Sequence, residues 1–193
     1  MSNAESPFAI LNPVAYLDGS ISPRPVRSRP RTVSGSDASN VRIVPTDRAI
    51  QVVTDFTWEQ PVTIAIDRTT DDALRETTVA GVHALLVMQA DIVTGLITYF
   101  DIQAFDASPA ARAGTARHEH VEVIEIMTPW ERVVTSDWHM VGAAQVAELV
   151  TLFECTSATH AVMVEHGEQG GTFVRGIASR ARLERQLGHS IPR

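Results

Sequence analysis

Lysine is absent from the sequence, and all 16 basic residues are arginines. Without lysine, neither a Walker A phosphate-binding loop nor a Schiff-base enzyme can be built. The single cysteine, Cys155, excludes an internal disulfide and a multi-cysteine zinc site. Because it falls in an apolar helical stretch, we predict that it is an inert core residue. The motifs G-x-S-x-G, H-E-x-x-H and G-x-G-x-x-G are also missing. No nucleophile–base pair is left, so we expect that the protein is not an enzyme.

Long apolar runs are missing as well. None reaches the roughly 18 residues that a membrane-spanning helix needs, and no signal-peptide pattern opens the sequence. The net charge of −7 argues against general affinity for nucleic acid or membranes. We therefore expect a cytoplasmic protein without membrane or nucleic-acid partners. One basic, proline-rich stretch, residues 23–31, could dock a nucleic acid or an acidic partner, but composition favours a mobile or surface arm.

An apolar run at residues 92–97 predicts a short strand, and Thr98 and Asp101 follow it. Strand, T-x-x-D and helix together place a hydroxyl and a carboxylate at a helix N-terminus, where unpaired backbone N–H groups favour anions. The carboxylate can hold a ribose diol while the hydroxyl and the N–H groups face phosphate. T-x-x-D is also a capping box, in which Thr98 caps the helix and Asp101 folds back. For this stretch taken alone, capping is the favoured interpretation.

A second copy of this pattern follows along the chain. Gly176 begins the same order of glycine, apolar pair, hydroxyl and helix that Gly95 begins, 81 positions earlier. The strand that starts at His83 matches the strand that starts at His160, 77 positions later. Spacings that grow slowly along the chain indicate one duplicated unit with insertions in the second copy.

The segments that lead into each copy also match. Trp58 and Trp130 lie 72 positions apart, and we interpret both as packing residues. Thr46 can cap a helix over residues 47–54, and residues 121–127 predict a second, parallel helix.

With these pieces in order, twice, the chain resembles a tandem pair of CBS domains, the Bateman module. The resembling stretches are residues 55–57 and 126–128 before each first strand, 71–74 at the first helix, 81–87 at the second strand, and 95–102. The resemblance implies an α+β fold of two pseudo-twofold related β-α-β-β-α units. The implied organisation is an N-terminal Pro/Arg-rich arm at 1–45, CBS domain 1 at 46–108, a linker loop at 109–120, CBS domain 2 at 121–189 and a tail at 190–193.

In this family the cleft between the two units often binds adenosine-containing ligands. The resemblance therefore implies AMP, ADP, ATP or S-adenosylmethionine as ligand, and no metal. The threonine and aspartate of T-x-x-D are the family's usual phosphate and ribose contacts, here Thr98 and Asp101. The ligand-binding residues predicted on this basis are Val62, Thr63, His83, Ala84, Thr98, Asp101 and Ser179.

The second copy departs from the motif. Ser179 keeps the hydroxyl, but Arg182 stands where the aspartate is expected. A guanidinium has only donors and cannot accept the ribose hydroxyls. It could face a phosphate instead, but a solvated helix arginine is the favoured interpretation. We therefore expect a single ligand site, in the first copy.

Two further patterns bear on metal binding and assembly. His118, Glu119 and His120 could hold a metal ion, but histidines two positions apart in a polar loop are usually surface residues. Because His83 and His160 start matching strands, a shared structural role is favoured over catalysis. An apolar helical stripe predicts a core or dimer face, and we expect a twofold homodimer. The stripe consists of Val146, Leu149, Val150 and Phe153.

Three functions are open to such a chain. The leading one is a regulatory module that binds an adenine nucleotide between its repeats and signals through an unknown protein partner or through its dimer. The alternative is a structural module for dimerisation or partner binding that takes no ligand. An unrecognised enzyme is the weakest, because the sequence offers no nucleophile–base pair.

Overall fold

The computed structural model describes residues 21–23, 41–106, 121–167 and 171–192. The chain forms two compact units, which we name by their place in the sequence. The larger part of the central unit is Pro61–Val133, and the larger part of the flanking unit is Pro23–Gln60 together with Val134–Arg193. Within the described ranges, no helix is both long enough and apolar enough to cross a membrane.

The described residues of the central unit form a four-stranded sheet and three helices. Its strands, in spatial order, are β3 (Thr63–Ala65), β4 (Ala84–Gln89), β5 (Ile92–Thr98) and β6 (Thr128–Pro129). Its helices are α1 (Thr70–Ala80), α2 (Tyr99–Asp106) and α3 (Val123–Ile126). The Thr69 side chain caps α1, and Gly81, at φ 66°, ends it in the left-handed conformation that glycine adopts without strain. The core consists of Ile64, Ala73, Leu85, Val87, Ile97, Ile102 and Val123.

The flanking unit is built on a five-stranded sheet. The order is β1 (Ile21–Pro23), β9 (Thr172–Ser179), β8 (His160–His166) and β7 (Thr135–Asp137), and β2 (Val53–Asp55) also pairs with β9. Its described helices are α4 (Trp138–Ala143), α5 (Val146–Glu154) and α6 (Arg180–Leu187). Apolar side chains of α5 and α6, including Leu149, Phe153 and Leu183, pack in one core with β8 and β9. The strand–T-x-x-D–helix order predicted for the first copy is confirmed in β5 and α2.

The two packing units are not the two sequence repeats laid end to end. β2 precedes the first repeat's sheet but pairs with β9 of the second, and β6 precedes the second repeat's sheet but pairs with β5 of the first. Each repeat therefore lends its leading strand to the other unit. The domain boundaries predicted from the repeat describe the two sequence copies and not the two compact units, and they stay a prediction.

The leading strands explain the glycine that opens each copy of the motif. A Cβ atom on Gly95 would lie 2.6 Å from the Thr128 carbonyl oxygen, and one on Gly176 would lie 2.5 Å from the Thr54 carbonyl oxygen. Both distances are far below a normal contact. Only glycine therefore lets β6 and β2 approach this closely without a shift of the backbone.

Three local predictions are corrected by the structure. The helix expected at 47–54 is a single 3-10 turn, Ala49–Val52, because the next residues pair with β9 as β2. The second leading helix is likewise only the four residues of α3. Cys155 is exposed rather than buried in the core, because it follows the end of α5, beyond the buried face that Phe153 completes.

Candidate functional site

Six predicted binding residues gather at one edge of the central sheet. β3 and β4 run parallel, and β4 and β5 antiparallel, so the starts of β3 and β4 meet the end of β5. Leu86 N donates to Val62 O at 3.0 Å, and Ala84 lies opposite Thr98. We call this place the central edge, and it comprises Val62, Thr63, His83, Ala84, Thr98 and Asp101. The seventh predicted residue, Ser179, belongs to the flanking unit.

Thr98 and Asp101 form a reciprocal cap at the start of α2. Asp101 N donates to Thr98 Oγ1 at 3.2 Å. In return, Thr98 N and Thr98 Oγ1 donate to Asp101 Oδ2 at 2.7 and 2.8 Å. The capping interpretation of T-x-x-D is therefore confirmed.

The cap uses only one of the two carboxylate oxygens. Among the residues that the structure describes, Oδ1 of Asp101 has no hydrogen-bond partner, and the residue is half-buried. An ionised carboxylate has about four acceptor sites in all. Capping and ligand binding thus do not exclude each other at Asp101: Oδ2 holds the helix start while Oδ1 remains an acceptor.

Donors for a phosphate are scarcer at this edge. Thr98 is only 4% exposed, and its hydroxyl hydrogen and its backbone N–H both go to Asp101. Tyr99 N donates to His83 O at 3.0 Å. A phosphate would have to compete with these bonds, whereas a hydroxyl donor would meet an open carboxylate oxygen. The His83 side chain itself is exposed and lies edge-on to the Tyr99 ring, with 6.5 Å between centroids.

No protein-family model and no curated protein matches the sequence. Solved structures do match. A conserved CBS domain protein of unknown function from Thermoplasma acidophilum is 15% identical, with a TM-score of 0.51, over 72% of this chain and 74% of that one. The CBS domain of a bacterial CNNM/CorC family Mg2+ transporter, solved in complex with ATP, is 14% identical, with a TM-score of 0.51, over 76% of this chain and 91% of that one. This chain has the fold of a tandem CBS-domain pair.

The α+β tandem fold expected from the sequence is thus confirmed. An enzyme is also among the similar structures: a variant of GMP reductase from Trypanosoma brucei, at 18% identity and a TM-score of 0.50. The match covers 72% of this chain but only 27% of that one, so the likeness concerns a minor part of the enzyme.

The second repeat of the CBS-domain pair builds a matching edge in the flanking unit. Backbone bonds fix the correspondence: Tyr99 N donates to His83 O at 3.0 Å, and Arg180 N donates to Thr159 O at 2.9 Å. His83 therefore corresponds to Thr159. The match predicted between His83 and His160 is wrong by one position. Both residues are histidines, but the strand pairing matches His160 to Ala84.

The leading strands are matched by the same criterion. Thr54 of β2 and Thr128 of β6 hold the same place opposite β9 and β5. Trp130 thus corresponds to Phe56, and both are buried. The predicted match between Trp130 and Trp58 is wrong by two positions, because the first copy has two additional residues before its next strand; Trp58 is exposed.

The side chains of the matching edge differ from those of the central edge. We call it the flanking edge, and it comprises Val134, Thr135, Thr159, His160, Ser179 and Arg182. Ser179 caps α6 by accepting from Arg182 N at 3.4 Å. The guanidinium of Arg182 turns back, and its Nη1 donates to Thr54 Oγ1 at 3.0 Å. The expectation of a solvated arginine is therefore corrected: Arg182 is half-buried and bonded to the leading strand.

Sequence reasoning missed Arg180, the residue after Ser179. It is buried, and its guanidinium donates to Phe153 O at 2.8 Å, to Ile191 O at 2.6 Å and to Pro192 O at 2.7 Å. It thereby ties the end of α5 and the C-terminal segment to the start of α6. The sequence carries no clear signal for this, because an arginine in a first helical turn is usually solvated and its partners here are carbonyls of distant segments.

A second missed group lies on the flanking sheet. Arg175 of β9 is ion-paired with Asp55 of β2, and its Nε lies 3.1 Å from Glu165 Oε2 on β8. The guanidinium also stacks on the Trp138 ring at 4.2 Å from the centroid, a cation–π contact. This group fastens the leading strand to the sheet.

The histidine-rich stretch at residues 118–120 lies outside the described residues, so its metal prediction stays untested. Across the ranges that are described, no three His, Cys, Asp or Glu side chains come close enough together to hold a metal ion.

Proposed function

We propose that the protein is a regulatory module that binds an adenosine-containing ligand at the central edge, with Asp101 as the ribose contact. The observation that carries the proposal is the open Oδ1 of Asp101 beside the capped start of α2. The half-burial of this carboxylate favours strong bonds with an incoming donor, because water competes less there.

The chemistry of the edge favours a vicinal diol as the group that is recognised. A ribose presents two adjacent hydroxyl donors, and the carboxylate accepts them without disturbing the cap. The likeness in fold to the CBS domain solved with ATP supports an adenine nucleotide as the ligand class. AMP, ADP, ATP and S-adenosylmethionine all carry the same ribose diol and are the compounds to test.

Asp101→Ala is the deciding variant. Loss of charge-assisted bonds to the ribose costs about 1.5–3 kcal/mol each, so we expect affinity to fall at least about tenfold in calorimetric titration. Because the cap is lost as well, unfolding free energy falls by about 1 kcal/mol. Unchanged affinity in a variant that melts lower would end the ribose assignment.

The capping box of α3 provides a matched control. Glu122 N donates to Glu125 Oε1 at 2.9 Å, and both halves of that box are formed in the same unit. Glu125→Ala therefore removes a similar cap at a residue outside the central edge. We expect it to lower the melting temperature while leaving ligand affinity unchanged.

Dimerisation without a ligand is the second candidate, and exposed apolar side chains on the helices of the central unit favour it. Val79 of α1 is 79% exposed, Ile124 of α3 is 50% exposed and Phe100 of α2 is 43% exposed. Exposed apolar side chains mark a surface that meets a partner where they lie together in one patch. Light scattering at tens of micromolar tests it: twice the chain mass of 21.0 kDa is expected for a homodimer, and the single mass contradicts it.

A further inference from the structure

The two edges occupy the same place in their sheets, yet they offer opposite chemistry. At the central edge the key positions are Ala84, a small residue, and Asp101, an acceptor. At the flanking edge the same positions hold His160 and Arg182, as the strand registers show. A small residue and an anion are thus replaced by a ring and a cation.

Both replacements are held in place by the flanking unit itself. His160 is only 5% exposed, and its Nδ1 lies 3.0 Å from Thr159 Oγ1. The guanidinium of Arg182 donates to Thr54 Oγ1, a residue 128 positions earlier in the chain. Thr54 corresponds to Thr128, and the residue of the central unit that corresponds to Arg182 is Asp101. These are two independent contacts, one for each of the two replaced side chains.

We infer that the flanking edge is closed to the ligand by its own side chains, Arg182 held by Thr54 and His160 packed in the place of Ala84, so that each chain binds one ligand. The inference rests on the proposed function for the central edge, and it names the residues that set the stoichiometry. A bound ribose would need an acceptor where the guanidinium presents donors, and space where the imidazole is packed.

The experiment converts the flanking edge to the central chemistry. Titration calorimetry with AMP and with S-adenosylmethionine is expected to give one ligand per chain for the wild type. The double variant His160→Ala with Arg182→Asp is expected to give two, and Arg182→Asp alone to give a weaker second site. Arg185→Asp makes the same charge change at an exposed position of α6 and is expected to leave one site.

The outcomes separate this inference from the proposed function. A folded double variant that still binds one ligand overturns the closure, and so does a wild type that binds two. A wild type that binds none contradicts the proposed function; the closure then stands if the double variant gains one site, and falls if it gains none.

A measurement without ligand tests the tie between Arg182 and Thr54. Thr54→Val should lower the melting temperature in the wild type, and the shift should vanish in the Arg182→Ala background, because the hydrogen bond that Thr54→Val removes is already absent there. Thr128→Val is the matched control, and its shift should be the same in both backgrounds. Equal shifts for Thr54→Val in both backgrounds would contradict a stabilising hydrogen bond between Arg182 and Thr54.

Discussion

The central and flanking edges share a backbone scaffold and differ in their side chains. Leu86 N bonds Val62 O at 3.0 Å, and its counterpart Val162 N bonds Val134 O at 2.8 Å. The bonds that start α2 and α6 agree equally well. Backbone bonds hold each edge in the same shape, while the side chains differ: one edge has an open carboxylate at Asp101, and the other has a bonded arginine at Arg182. The same backbone scaffold therefore carries two different site chemistries in this chain, so the fold alone does not determine what an edge can bind.

The largest difference in stability between matching variants is expected at the residue after the capping hydroxyl, which is Tyr99 in the central unit and Arg180 in the flanking unit. Arg180→Ala leaves three carbonyls of the flanking unit without their donor, in buried surroundings. We expect a loss of about 3–5 kcal/mol in unfolding free energy, measured by urea denaturation.

Tyr99→Ala is the matched change in the central unit. Tyr99 is half-buried and makes an edge-on contact with His83, so the expected loss is smaller, about 1–2 kcal/mol. Equal losses for the two variants would show that the carbonyls of the flanking unit find other donors.

A second prediction concerns the glycines that both units share. Gly95→Ala and Gly176→Ala should each lower stability by about 1–3 kcal/mol, because the new Cβ collides with the backbone of a leading strand. Thermal melting with Gly142→Ala as control checks this. Apart from its own chain neighbours and helix backbone, no described atom lies within 4 Å of the Cβ position at Gly142, so that change should be neutral or stabilising by about 0.5–1 kcal/mol. A loss confined to one of the two glycines would break the symmetry of the scaffold.

The smallest expected difference lies in the caps. The cap of α2 is reciprocal, whereas Ser179 only accepts from Arg182 N, at a long 3.4 Å. Thr98→Ala should therefore cost about 1–2 kcal/mol and Ser179→Ala about 0.5 kcal/mol in chemical denaturation. A larger cost at Ser179 would mean that the hydroxyl has a role beyond the cap.

The sequence was informative where structure is local. The strand at 92–97, the cap at Thr98 and the duplication follow from patterns in the sequence itself, and the structure bears them out, with the strand one residue longer than predicted. Matching the repeats by identical residues failed for His83, because the strand register is set by backbone pairing. It failed for Trp58 because a two-residue insertion leaves no mark in the alternation of apolar residues. The exchange of leading strands and the buried Arg180 depend on partners far away in the chain, which local patterns do not reveal.

The exchange of leading strands also has a consequence for the order of folding. All four strands of the central sheet lie between residues 61 and 133, so they can pair once this stretch has been made, whereas β2 finds its partner only when β9 exists. Synthesis proceeds from the N-terminus, and pairings distant in sequence form slowly. We therefore expect the middle of the chain to fold first. β2 is made before the central unit, but its N–H and C=O groups have no strand to pair with until β9 has been made.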